Sequence, residues 1–575
     1  MTAKLKPTTI TSFALGMNTR RPDFRMRRTE PPYGNYMREI VNGDISNDGT
    51  LKLRRGYANV LGATAGSSIW ADDAQAYYAS GGTLMALSGA SPLVQTVVTG
   101  AALNPSTPVS YDSAPMGGAY WTDGVTLGYV FNGASVPIVP PRPLVLPVVT
   151  LGAGALDAGI YSIAYTYVDS AGRESSASPP STVAVSAAGA LIFTLVAAPV
   201  AGFTLKAYVS LPNGVEVYAA LNFVGAGTQT LTVLSSLGPA CTTMGLQNMP
   251  AGRFVRYNNG RLMVAVGSVL FYSQPFIPGL YDPTSDFIPF PATITVVQTV
   301  SNEGVFICAD QTYWLSGDLA DTKPVTSLQF GAVMGSAADR PDQNGGFWMS
   351  DRGICVGSSG GNVKLMQDAN VSVSLTQSAA SLMVDRDGSI QLITSMSGSA
   401  VTPSSEGSKY ASTEIVLTTI TGEAWVVRDD EKQATWRYAN YTFDSFAQIA
   451  AHYYGVRADG VYLLEGTTDA GAAIAFSMNP GRQDFNSELR KRMEAAYLTV
   501  SSTGTMHLAV TDDTGNTYTY NTRRNDPTVM KQRIDVGRGM TGVYLGFSIT
   551  NDSGAAFELS GYELVAIETT RRLAG

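Results

Sequence analysis

The stretch 158–185, AGIYSIAYTYVDSAGRESSASPPSTVAV, alternates strictly over its first half. Tyr161, Ile163, Tyr165 and Tyr167 share one face, and Ser162, Ala164 and Thr166 share the other. A period of two is that of a β-strand with one face turned to a core. The turn DSAGRES follows, and Pro179-Pro180 stops the run. Downstream, 203–223, FTLKAYVSLPNGVEVYAALNF, reads as a hairpin with Asn213-Gly214 at its tip. Upstream, 140–149, PPRPLVLPVV, reads as a proline-rich linker. These signals delimit a small antiparallel sandwich inserted into a longer chain.

On either side of this unit the pattern changes. QAYYAS, TLMALSG, AYWTDG and TLGYVFNG, between 75 and 133, are short apolar or aromatic strands, three of which run into Gly. The same grammar resumes at 252, in NGRLMVAVGSVLFYSQP, GVFICADQTYWLSG, GGFWMSDRGICVGSSGG and DGVYLLEG. Trp314 and Trp348 fall in these repeats, and Trp425 and Trp436 in a further one, EIVLTTITGEAWVVRDDEKQATWRYANY at 414–441. Regular short strands with aromatic-then-Gly endings predict propeller blades or a sandwich, and the recurrence at 250–470 favours a divergent propeller without the strict WD40 or kelch signatures. From 480 the alternation returns in LTVSSTGTMHLAVTDDTGNTYTYNT and three further strands. The reading is an all-β, multidomain chain. Residues 1–60 form an N-terminal extended arm and hairpin. A divergent β-propeller occupies 61–140 and 248–476. The insert at 141–247 resembles a fibronectin type III or immunoglobulin-like sandwich without the buried disulfide of antibody domains, and 477–575 form a C-terminal β-sandwich.

Composition narrows the function. Among 575 residues, 45% are hydrophobic and only 15% charged, where average soluble domains carry about 25%. That deficit suits surfaces covered by other subunits better than those of a freely diffusing enzyme. Charge is uneven. Residues 1–60 hold 11 Lys/Arg and 5 Asp/Glu, a net of +6, so the remainder carries −14 of the total −8. A basic arm on an acidic body is expected to reach an acidic neighbour, with nucleic acid as the alternative partner. Pro7, Pro22, Pro31 and Pro32 exclude a helix there. Asp48-Gly49, between Ile45 and Leu51, predicts a tight hairpin; the terminal Glu of a calcium loop is missing.

Catalytic constellations are sparse. Cys241, Cys308 and Cys355 have neither disulfide nor zinc spacing and read as small buried hydrophobes. His452 and His507 are the two histidines, too few for a His-based metal site or triad. No phosphate-binding loop occurs. DDEKQATW at 429–436 lacks the Ser and Gly of a sialidase Asp-box and reads as a hairpin. No enzymatic activity, cofactor or metal is expected. No run of 18 apolar residues predicts a membrane span, and MTAKLKPTTITSF lacks a secretory core, so synthesis in a cytoplasm is expected.

Three segments resemble bacteriophage tail proteins of the nozzle, or tail tubular protein B, family. They are NGDISNDGTLKLRRGY at 42–57, the blades at 258–317, and the end from LRKRMEAAYLTV to SGYELV, together about 200 residues. The resemblance implies a structural subunit of a virion tail, a homohexameric ring around the DNA exit channel acting in assembly and ejection. Its partners would be further copies of itself, adaptor and fibre proteins, and genomic DNA in passage without specific binding. Arg20, Arg21, Arg27, Arg28, Arg54, Arg55 and Tyr57 are the expected subunit contacts. The alternatives are a carbohydrate-binding tail adhesin, which aromatics on an exposed sheet edge would favour, and a propeller glycosidase, which needs clustered carboxylates in a central cavity.

Overall fold

Apolar alternation makes the β-strand the dominant element of the chain. The structure, a computed structural model, describes residues 5–22, 35–89, 92–340, 345–373, 375–386, 388–402, 414–419, 423–537, 539–552 and 554–569. Its one helical element among these is a 3-10 turn at Ser359–Gly361. The protein is all-β and multidomain, with propeller-type blades and two sandwiches. It falls into two compact units: 1–96, 295–315 and 324–575 form the first, and 97–294 with 316–323 the second.

In the first unit, antiparallel sheets of blade type pack in series. Val296–Val300, Gly304–Cys308, Thr312–Ser316 and Val325–Leu328 form one, and Ala338–Asp339, Gly345–Ser350, Gly353–Ser358 and Asn362–Leu365 the next. Leu375–Arg386, Ser389–Thr402, Glu423–Arg428 and Thr435–Ala439 follow. The next sheet is completed from the far end of the sequence: Ser445–Ile449, His452–Arg457 and Gly460–Leu463 take Ala58–Gly62 as their fourth strand. Gly66–Ala71, Ala76–Ser80 and Thr83–Ser88 then pack on Ser445–Ile449. Each sheet thus buries one face on its neighbour, with Phe306, Trp348, Tyr454 and Val461 among the filling side chains. The segment 429–434 is the expected hairpin, its turn held by Asp430 accepting from the Lys432 and Gln433 amides.

The C-terminal sandwich shares this unit, and the N-terminus is woven into it. One sheet runs Gly43–Ile45, Leu51–Leu53, Phe557–Glu568, Lys491–Ser502, Met530–Ile534, with Thr8–Ile10 also on Phe557–Glu568. The other runs Ser477–Asn479, Gly546–Asn551, Met506–Thr511, Thr517–Asn521. Glu39–Val41 joins this second sheet to the blade ending at Thr435–Ala439. The expected extended arm is therefore corrected for 5–22 and 35–60, while 1–4 and 23–34 lie outside the described residues. Phe13, Ile40, Ile45 and Leu51 are fully buried in the core, because single apolar residues at alternate positions each find a hole there. The stretch 490–502 is strand from Lys491 onward.

The second unit holds two blade-type sheets and the insert. Ser110–Ser113, Ala119–Thr122, Leu127–Phe131 and Ala134–Val136 form one sheet; Phe254–Asn258, Arg261–Val266, Val269–Tyr272 and Phe287–Pro289 form the other. The insert is a seven-stranded sandwich. Val148–Leu156, Gly189–Leu195 and Gly227–Leu231 face Ser181–Val185, Gly159–Asp169, Phe203–Ser210 and Val217–Phe223. Tyr161, Ile163, Tyr165 and Tyr167 point into its core as the period requires. The opposite face is buried too: Ala164 and Thr166 are covered by a strap whose Ser175 and Ser178 hydroxyls accept from the Tyr167 and Tyr165 amides at 2.9 and 3.0 Å.

Candidate functional site

The hairpin 42–57 builds the most elaborate polar site of the first unit. Asn42 lies between a strand of one sheet and a strand of the other, with φ +59°. Asn tolerates this left-handed turn better than most residues. Its side chain secures the crossing: Oδ1 accepts from Arg54 Nε and the Ala439 amide, both at 2.8 Å, and Nδ2 donates to the Ala475 carbonyl at 2.7 Å. The Asp48-Gly49 turn closes the hairpin as expected, with Asp48 accepting from the Thr50 amide and hydroxyl. The Ser46 hydroxyl, followed by these Thr50 groups, holds the Asp48 carboxyl below its ordinary range against partial burial. Gly49, at φ +85°, is required because a Cβ there would meet Ser12 Oγ at 2.1 Å.

Arg54 is the centre. Its guanidinium is fully buried and donates to both Asp469 oxygens at 2.8 and 2.6 Å, to the Arg55 carbonyl at 3.0 Å and to the Ala439 carbonyl at 2.9 Å. It stacks against the rings of Tyr438 and Tyr441. Burial works against its charge, yet the Asp469 carboxylate outweighs that and keeps the guanidinium more basic than usual. A second pair lies beside it. Asp44 accepts from the Tyr438 hydroxyl and faces Arg386 at 3.5 Å. Burial, then the Asp44 charge, pushes Tyr438 well up. Arg428 extends the lock to the hairpin tip, donating to the Ser46 carbonyl at 2.8 Å. Tyr57 closes it on the other side: its hydroxyl donates to the Asn440 carbonyl at 2.9 Å, and Arg457 lies over Tyr57, Phe443 and Tyr462 at 4.4, 4.3 and 5.1 Å from their centroids. Each charged group here has a local partner, so the arrangement fixes chain segments to one another.

The seven expected contact residues divide. Arg54 and Tyr57, expected at the surface, are instead buried and spent on Asp469 and on Asn440 and Arg457 of their own chain. Arg55 is exposed, and Arg20 is exposed while pairing with Asp368 at 3.2 Å. Arg21 lies over the Tyr36 ring. Arg27 and Arg28 lie outside the described residues. Asp469, Arg386, Tyr438, Tyr441 and Arg457 were missed, since nothing in their local sequence distinguishes them from other charged and aromatic residues near strand ends. His452 bonds Glu465 and His507 bonds Asn521, on separate sheets. Cys308 and Cys355 are buried among apolar residues. Among the described residues no helix is long and apolar enough to cross a membrane, and no group of three or more His, Cys, Asp or Glu is placed to hold a metal ion.

The chain matches no family model and no curated protein. Solved structures with similar strand arrangements include the dihydro-heme d1 dehydrogenase NirN, at 10% identity and a TM-score of 0.25 over 70% of this chain and 76% of that one. A putative 6-phosphogluconolactonase from Bacteroides uniformis matches at 10% identity and 0.21, over 55% of this chain and 92% of its own. PorZ, a surface component of the type-IX secretion system of Porphyromonas gingivalis, matches at 10% and 0.16 over 92% and 93%. At these scores none carries an argument about function.

Proposed function

We propose that this protein is a structural subunit of a bacteriophage tail, a nozzle or hub ring around the DNA exit channel. The observation that carries the reading is the lock. Of the residues through which 42–57 resembles the tail-nozzle family, Asn42, Asp44, Arg54 and Tyr57 tie the N-terminal hairpin to 438–469, and Asp48 closes the turn of the hairpin itself. A motif devoted to closing a fold suits a part that must stay shut while DNA passes. The contacts to other copies then fall to the arginines that stay outside the lock, Arg20, Arg21 and Arg55, with Arg27 and Arg28 beside them in sequence. A passage for DNA must not grip it, since every phosphate neutralised strengthens sequence-independent binding. The net −14 after residue 60 supports a lumen lined by acidic and neutral polar side chains. Electron microscopy of the purified protein tests the proposal. A six-fold ring with interfaces above roughly 2,000 Å² each is expected. A monomer, a trimeric fibre or a lumen lined continuously by Lys and Arg would overturn it.

A further inference from the structure

The C-terminal sandwich is open along one side. Thr517–Asn521 ends one of its sheets and Met530–Ile534 ends the other, and among the described residues neither has a strand beyond it. The connection between them crosses the end of the sandwich, anchored by Thr522 to Met506 and by the Asp526 carbonyl to the Ser502 amide. Both edges are thus brought to the same side. Apolar groups stand exposed there: Tyr518 at 53%, Val529 at 48% and Met530 at 38%. Between them runs a basic row. Residues 517–535 hold Arg523, Arg524, Lys531 and Arg533 against Asp526 and Asp535; Asp535 faces both Arg523 and Arg533, and Lys531 pairs with Glu563, which leaves the row a small positive excess.

Gln532 marks this edge as incomplete. It lies on the inward face of Met530–Ile534, 7% exposed, and neither its amide nitrogen nor its oxygen has a hydrogen-bond partner among the described residues. A buried amide left unsatisfied on both atoms is rare and costly. An added strand lying in the open side can supply both a donor and an acceptor. The charge selects the strand. A second copy pairing through the same edge would set Lys531 and Arg533 against like charges, whereas an acidic strand meets them with opposite ones. We infer that this open side is a docking surface for an extended acidic segment of another protein, added in β-register along Met530–Ile534.

A nine-residue peptide alternating Glu with Val and Thr tests this, with its Lys-for-Glu counterpart as control, each titrated by fluorescence anisotropy into the full chain. The acidic peptide is expected to bind about threefold or more tighter than the basic one. Lys531→Glu combined with Arg533→Glu is expected to reverse that preference. Hydrogen exchange at 530–534 slows when the acidic peptide is bound. Gln532→Leu, which removes the orphaned amide, is expected to raise the melting temperature of the free chain and to weaken the peptide. Equal binding of the two peptides, no binding of either to the folded chain, or binding without protection of 530–534 would each overturn the inference.

Discussion

Arg54→Met cuts the lock at its centre, and the structure sets the scale of the loss. The guanidinium is wholly enclosed, and the Asp469 side chain it neutralises is only 6% exposed. Removing one partner of a buried pair strands the other charge, at about 3–5 kcal/mol. The loss falls on the first unit, roughly 370 residues. Unfolding entropy of about 2 cal/mol/K per residue gives roughly 0.8 kcal/mol/K for a unit that size, so a loss of 4 kcal/mol lowers the melting midpoint by about 5 °C. Asp469→Leu alone leaves the cation stranded and is expected to cost a similar amount. The pair Arg54→Met with Asp469→Leu removes both charges and fills the space with apolar atoms, so it is expected to recover at least about half of the single loss. Differential scanning calorimetry of the four proteins reads these quantities. A loss below about 1 kcal/mol in either single variant, the range of an exposed pair, would refute the claim that the lock is desolvated. So would a double variant no more stable than the singles.

Further outcomes follow from other parts of the molecule. Gly16→Ala should destabilise the first unit by more than about 2 kcal/mol, since Gly16 has φ +68° and a Cβ would lie 2.4 Å from the Thr435 backbone nitrogen; a denaturation midpoint equal to wild type would contradict this. In native protein, Cys241 should react with a thiol reagent first. Cys308 is raised far above the ordinary thiol value and Cys355 to about 12, both by burial, so they should label only when the first unit opens; rapid labelling of all three would show otherwise. Burial raises the Asp351 carboxyl, so its contribution is complete below the unfolded pKa of about 3.9 and declines as pH rises toward the folded value. Asp351→Asn should therefore gain stability over wild type at pH 7 and lose that advantage at low pH, and parallel urea midpoints across pH would refute the assignment. Deleting 146–246 should leave the remainder folded, because Asn248 Nδ2 donates to the Pro140 carbonyl at 3.3 Å and brings the two junctions together; a broadened or absent melting transition would count against it.

Local signals disclosed the strands well and their long-range use poorly. Tyr161 to Tyr167 alternate so cleanly that the insert and its core could be read residue by residue, and Asp48-Gly49 gave its own turn. The arm deceived for a physical reason. Prolines, arginines and isolated apolar residues are what an extended tether carries, and they are also what a short strand carries when its partners come from elsewhere. Thr8–Ile10 pairs with 562–564, and Arg54 meets Asp469 across 415 positions of sequence. No window of sequence contains both halves of such a contact, so a buried arginine reads as a surface one.

Weaving both chain ends into one sandwich has a consequence for synthesis. Ile10 opposes Tyr562 in the register of the finished fold. A ribosome releases about 5–20 residues per second, so the first strand waits roughly half a minute to two minutes for its partner to be made. Throughout that interval Phe13, Ile40, Ile45 and Leu51 lack the cover that residues 491–564 supply. A nascent chain in this state is a substrate for chaperones and proteases. A premature stop that removes Phe557–Glu568 withholds the strand on which both Thr8–Ile10 and Leu51–Leu53 assemble, so the damage would fall on segments made roughly 500 residues earlier.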